Sequence, residues 1–260
     1  MNFVDVPPGS PESRETSAQW SVSLSLLRSF DLRIDDRPVH IPLSSQRVVA
    51  FLALNRGRLA RTFVAGNLRM DASEERAAAA LRTALWRLGQ LRSSLLCCHG
   101  PRLAIEPAVR VDIDVATRSA RALGDRTDTP VPQIVLTQLR DDGELLPDWY
   151  DDWVLIERER FRQMRLHALE ALCNRLSREH RHSQATEVGL AAVASEPLRE
   201  SAYRALIAAH LREGNAVEAL RQYRLFKGLL RRELGLDPSP QLELLVRTSL
   251  KRDDVVTAMR

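Results

Sequence analysis

DASEERAAAALRTALWRLGQLR, running from Asp71 to Arg92, is the stretch from which the fold can be read. Asp71 or Ser73 can cap a helix N-terminus, and Glu74 and Glu75 stand in the first turn, where the helix dipole favours acids. Ala, Leu and Arg are strong helix formers and fill the middle. Leu81, Leu85 and Leu88, with Ala77, Ala78 and Ala84 beside them, make one stripe that faces a core. At about 100° per residue the opposite side carries Arg76, Ala79, Thr83, Arg87 and Gln90, flanked by Arg82 and Trp86. That outer face is basic and has no acid after Glu75. A helix of this kind can lie on a phosphate backbone and turn short side chains to base edges, or it can simply face water.

Charge separates these readings. Between Gln19 and Asp112 there are 14 Arg, no Lys and 8 acids, whereas from Ile113 onward 23 basic and 23 acidic residues cancel. One basic segment is the footprint of one domain meeting a polyanion. With 260 residues, two domains are expected, over 19–112 and 113–260, after a Pro- and Ser-rich disordered tail over 1–18. That tail lacks the basic start and apolar core of a signal peptide. No apolar run reaches the roughly 20 residues of a membrane span. Cys97, Cys98 and Cys173 do not form a disulfide framework and fit a reducing cytoplasm. The adjacent pair is read as pointing to opposite faces of a strand.

Ahead of the opening stretch, residues 22–41 alternate apolar and polar around a turn at Asp35-Asp36 and read as short antiparallel strands. Ser44 or Ser45 then caps a largely buried helix ending at Asn55 and Gly57, and a second helix over 62–70 turns Phe63, Val64 and Leu68 inward. After the long helix come LLCC, the turn His99-Gly100-Pro101, RLAIEP and the alternating VRVDIDV, read as a β-hairpin. Strands, three helices and a hairpin make a winged helix-turn-helix, whose third helix enters the major groove while the wing lies on adjacent backbone. The wing tip presents His99, Gly100 and Arg102. No Gly-rich phosphate loop follows a strand, so an α/β nucleotide enzyme is not indicated.

From Val115 the chain turns helical, with a short helix over 115–123, a linker from Gly124 to Pro132, and a turn at Pro147–Tyr150. Asp151 or Asp152 caps a long helix that offers Val154, Ile156, Phe161, Met164, Leu166, Leu169, Leu172 and Leu176 to a core. Trp149 and Trp153 anchor its start. Arg178-Glu179 then aligns with Arg212-Glu213, and Ala185 with Ala219, at an offset of 34 residues. That is the period of tetratricopeptide repeats, which stack because one repeat cannot bury its own apolar face. Gly214 in the second turn answers to His180 in the first. Ala185, Ala192 and Ala219 mark close helix approaches. The fold class is therefore mainly α with small β-hairpins, a winged helix-turn-helix followed by an all-helical tetratricopeptide-like domain.

LSSQRVVAFLALNRGRLAR, DASEERAAAALRTALWRLGQL, GELLPDWYDDWVLIERERFRQ and REGNAVEALRQYRLFKGLLRRELGLDPSP, in this order, resemble the Streptomyces antibiotic regulatory protein (SARP) family. The resemblance covers residues 22–250. It implies an OmpR-type winged helix joined to a bacterial transcriptional activation domain. It also implies an activator of biosynthetic genes that binds direct repeats in double-stranded DNA, as a homodimer at least on DNA, and recruits RNA polymerase holoenzyme. Carried over by position, Arg82, Thr83 and Arg87 meet DNA and the wing adds Arg102; Arg76 and Gln90 lie on the same basic face. The loop around Arg69, Met70, Asp71 and Ser73 faces the polymerase. Two departures stand out. Gly89 follows Arg87-Leu88, where the family commonly adds a basic residue, at a cost of about 1 kcal/mol in helix propensity; Arg69-Met70 stands in place of a Trp-Pro pair. They leave open an alternative, a helical interaction module with a winged helix that no longer reads DNA. Trp86 is expected to dock on the helical domain, the other option being the DNA backbone.

An enzyme is not expected, and neither are a cofactor or a catalytic residue. His180, His182 and His210 could be drawn as a metal cluster, but no regularly spaced third ligand accompanies the first two, which sit in a turn. Asp141, Asp142 and Glu144 could be drawn as an acidic site; Asp151 and Asp152 are better read as helix caps.

Overall fold

The computed structural model describes residues 21–125 and 143–248, with the backbone alone for 119 and 121–125. Of the linker expected over 124–132, Gly124 and Asp125 are helical instead; its remainder, the expected tail over 1–18, and Asp141 and Asp142 lie outside the described residues. β1 (Val22–Ser25) and β2 (Asp31–Ile34) pair antiparallel with Leu24 opposite Leu32, and β2 turns into β3 (Arg37–Pro38). The turn at Asp35-Asp36 has φ of 47° and 62°, the left-handed pair that matches the twist of a two-residue hairpin.

α1 (Leu43–Leu54) follows, buried from Val48 to Ala53; then come β4 (Leu59–Ala60), α2 (Arg61–Leu68) and α3 (Glu74–Trp86). Phe63 is not turned inward as expected: it is half exposed on the outer side of α2 and only leans on Phe51, ring centroids 6.1 Å apart. α4 (Leu91–Leu95) leads into the wing, β5 (Leu96–His99) and β6 (Arg102–Ile105), with β4 on the other edge of β6. VRVDIDV departs from its alternating pattern. It supplies only β7 (Arg110–Val111), parallel to β1 in the N-terminal sheet, and then becomes α5 (Asp112–Asp125). Asp112 is the reason. Its carboxylate accepts the backbone N–H groups of Leu26 and Leu27 at 3.0 Å and of Ile113 at 2.7 Å, tying the end of β1 to the start of α5. Burial raises its pKa, outweighing those N–H groups, which lower it.

The apolar core does not stop at residue 112. Leu24, Leu52, Leu81 and Leu103 share one cluster with Leu145, Leu146, Trp153, Val154 and Phe161. Residues 143–146 run along the sheet, with Arg28 N–H to Glu144 O at 2.8 Å and Leu146 N–H to Leu26 O at 2.9 Å. Gly143 is needed there, since a Cβ would run into the Arg28 side chain. Arg158 closes the following turn, its guanidinium donating to the carbonyls of Leu145, Leu146 and Trp149. Asp151 occupies the N-cap position of α6 (Asp152–Arg178), but its carboxylate makes no capping bond and instead pairs with Arg47 on α1 at 3.1 Å. Trp153 packs edge-on to Phe51 and Trp149, which accounts for both tryptophans as anchors. Ile156, expected in the core, is 62% exposed, because α6 turns Trp153, Val154 and Phe161 inward.

α7 (His182–Ser195), α8 (Glu200–Glu213) and α9 (Ala216–Leu234) stack on the second half of α6, followed by a further helix, α10, over 240–248. The 34-residue repeat is visible in the turns themselves. Arg181 N–H reaches Leu176 O at 3.0 Å, and its counterpart Asn215 N–H reaches His210 O at 2.8 Å. His180 and Gly214 both adopt left-handed backbone, φ 59° and 85°, as such helix-ending turns require. Ala185, Ala192 and Ala219 are fully buried where helices meet. Cys173 lies in the first of these cores, and burial pushes its thiol up to about 12. A raised acid pKa makes a contribution to stability that is full below the thiol's ordinary value and lost as pH rises towards 12. Native protein at pH 8 should therefore be alkylated at exposed Cys98 and spared at Cys173 until urea unfolds it, as peptide mass mapping would show.

Candidate nucleic-acid interface

α3 is shorter than the sequence pattern suggests. Ser73 holds the N-cap position without a side-chain bond, and Glu74 and Glu75 fill the first turn. Ala77, Leu81, Ala84 and Leu85 are buried, while Arg76, Ala79, Arg82, Thr83 and Trp86 are exposed, as the helical period requires. The helix then ends. Arg87 is its C-cap, and Gly89 takes φ 54° in the turn before α4. Gly89 therefore does not weaken the middle of a long helix: it adopts the left-handed conformation that glycine adopts at little cost. Arg87 and Gln90, both exposed, stand in that turn rather than along the helix.

The carbonyls of a final helical turn need donors. Ser45 supplies one. It caps nothing, because Pro42 holds the N-cap of α1, and its buried hydroxyl donates to Ala84 O at 2.8 Å. This bond locks α3 to α1 and sets the direction of the exposed face. Ser45→Ala should cost about 1–3 kcal/mol by leaving a buried acceptor unpaired, seen as a lowered urea midpoint with unchanged slope.

The exposed face differs residue by residue. Thr83 bonds back to Ala79 O at 3.0 Å, and Arg87 reaches Ser44 Oγ at 3.5 Å. Arg76 and Arg82 have no hydrogen-bond or ion-pair partner among the described residues. Trp86 is 79% exposed, so it does not dock on the described residues of the helical domain. Nothing in the sequence pattern distinguishes a free indole from one covered by another segment.

The wing is tied to the start of α2. Its tip is Gly100-Pro101, with Gly100 at φ 57°, and Arg61 N–H at the start of α2 donates to Pro101 O at 2.9 Å. His99 and Arg102 are exposed there, and Arg102 donates to Arg58 O at 3.2 Å, which brings Arg58 into the same rim. Between α2 and α3, Arg69 and Asp71 approach to 4.0 Å and Met70 is 63% exposed. Behind that loop lies a groove of about 400 Å3 with Ala65, Ala77 and Leu81 in its floor and Arg61, Arg69 and Arg82 on its walls. The structure thus groups Arg76, Arg82, Thr83, Arg87 and Gln90 on and just beyond one helix, with Arg102 on the wing and Arg69–Ser73 in the preceding loop. Among the described residues no three His, Cys, Asp or Glu side chains gather as metal ligands. His180 and His182 stack edge-on with rings 5.7 Å apart, and His210 is buried.

A winged helix-turn-helix joined to stacked helical pairs is the architecture these elements define. Residues 140–248 match the bacterial transcriptional activator domain family. The chain is 31% identical over 153 residues to the regulatory protein AfsR of Streptomyces griseus and 30% identical over 158 residues to AfsR of Streptomyces coelicolor. The aligned parts take up 59% and 60% of this chain but only 16% of each relative, so the chain spans a small fraction of the length of the curated relatives it matches. A solved structure of Mycobacterium tuberculosis EmbR, in complex with a low affinity phosphopeptide, has the same fold, with TM-score 0.71 and 21% identity over 90% of this chain and 66% of that one. Over residues 140–248 the chain is thus similar to bacterial transcriptional activators, and over about 60% of its length it is similar to the Streptomyces regulatory protein AfsR.

Proposed function

We propose that this protein is a sequence-specific DNA-binding activator of biosynthetic, secondary-metabolite genes, acting in the cytoplasm without enzymatic activity. The observation that carries the reading is the exposed face of α3, where Arg76 and Arg82 have no partner among the described residues. Solvated guanidiniums on a rigid helix suit bidentate contact with guanine or with phosphate. Arg102 on the wing adds a backbone contact. Two copies occupy direct repeats, and the Arg69–Ser73 loop, with the groove behind it, faces RNA polymerase holoenzyme.

Footprinting across the neighbourhood of the protein's own gene tests this reading. Protection of two adjacent repeats, and an affinity whose logarithm falls linearly with log[salt], are the expected results. Random-sequence selection that enriches no site would overturn it.

A further inference from the structure

A second basic feature lies apart from α3. Arg56 beyond the end of α1, Arg110 in β7 and Arg118 on α5 line one groove of about 540 Å3, within the range of small-molecule sites. Asp114 is the single acid among its lining residues. It is already committed to Arg56, whose Nε donates to it at 3.1 Å. Even so, burial and then the charge of Arg118 hold the pKa of Arg56 below its ordinary value. Arg118 uses its Nε on the backbone oxygen of Asp114 at 3.3 Å, which orients the guanidinium and leaves its terminal N–H groups unassigned. Neither Arg110 nor the Thr117 hydroxyl has a partner among the described residues.

Three guanidiniums against one carboxylate leave a surplus of two positive charges in a space with apolar walls at Val109 and Val115. A dianion with oxygens in several directions matches that surplus better than a carboxylate does. We infer that the groove between β7 and α5 binds a phosphate group through Arg110, Arg118 and Thr117. Its source is either a free phosphorylated small molecule or the DNA backbone beyond the wing. The site shares no residue with the α3 face.

Calorimetry of the full chain with inorganic pyrophosphate, beside a DNA titration across salt, tests the inference. The variant Arg110→Ala/Arg118→Ala removes two donors, and a single Arg118→Gln covers the case in which the double variant does not fold. A free-phosphate site predicts pyrophosphate binding weakened by at least ~10-fold in these two variants, whose DNA salt slope stays unaltered, and pyrophosphate binding unchanged in Arg82→Ala. A backbone-phosphate site predicts a salt slope smaller by about 2 in the double variant and about 1 in the single one. Equal pyrophosphate binding, or none at millimolar concentration, together with an unaltered slope would overturn it. Because Arg82 controls the α3 reading alone, failure of one leaves the other standing.

Discussion

Arg82→Ala should weaken DNA binding by about 1–3 kcal/mol, or roughly 5- to 150-fold, with the fold intact. Arg82 is exposed on the outer face of α3 and makes no bond within the described residues that its removal would break. Its loss therefore acts on the complex rather than on the protein. The second part of the experiment separates base reading from charge. If Arg82 reads a base edge, Arg82→Lys restores the salt slope but not the discrimination between sites, because an ammonium cannot supply the planar fork. If Arg82 only meets phosphate, Lys restores most of the affinity. Arg76→Ala, nearer the helix start beside Glu75, should lower affinity with less effect on specificity. Arg87→Ala is a finer test. Its guanidinium sits in the turn after α3 and touches Ser44, so any loss would come from the backbone-facing end of the helix. Wild-type affinity in Arg82→Ala and Arg87→Ala alike would mean that the reading face has been placed on the wrong side of the domain.

Trp153→Ala should destabilise the chain by about 3–5 kcal/mol and loosen the winged helix as well as the helical domain. Trp153 is 7% exposed, belongs to the second half of the sequence, and packs edge-on against Phe51 of α1 with ring centroids 5.2 Å apart. Because the core around it holds residues from β1 through α6, the cavity opens in the shared part of the molecule. Urea unfolding followed by far-UV circular dichroism, alongside DNA affinity at low urea, checks this. The expected result is a lowered midpoint and a loss of DNA binding that tracks unfolding. A midpoint unchanged for DNA binding while the helical signal melts early would show that the two halves are independent. Phe226→Ala makes the natural comparison, since Phe226 stacks on Tyr203 at 4.4 Å in the last helical cluster, far along the chain from the shared core. It should melt that end first and spare DNA binding.

The amino-acid sequence by itself determined what depends on periodicity and on local backbone preference. The stripe of Ala77, Leu81 and Leu85, the hairpin turn at Asp35-Asp36, and the 34-residue offset that pairs His180 with Gly214 all act within a few residues, or repeat them. The exposed basic face followed directly from the same period. Tertiary structure decided what depends on which groups meet across long separations. Gly89 reads in sequence as a weak spot within a helix, yet the chain ends the helix there, because a left-handed turn lets Leu88 stay buried while α4 sets off towards the wing. Ser45, Asp112 and Asp151 each look like caps or strand residues. Their partners, Ala84 O, the N–H groups of Leu26 and Leu27, and Arg47, lie 39, 86, 85 and 104 positions away. Local propensity carries no information about such partners. The same reason explains Phe63, Ile156 and Trp86: a large apolar side chain follows the core only where another segment arrives to cover it, and at these three positions none of the described residues does so fully.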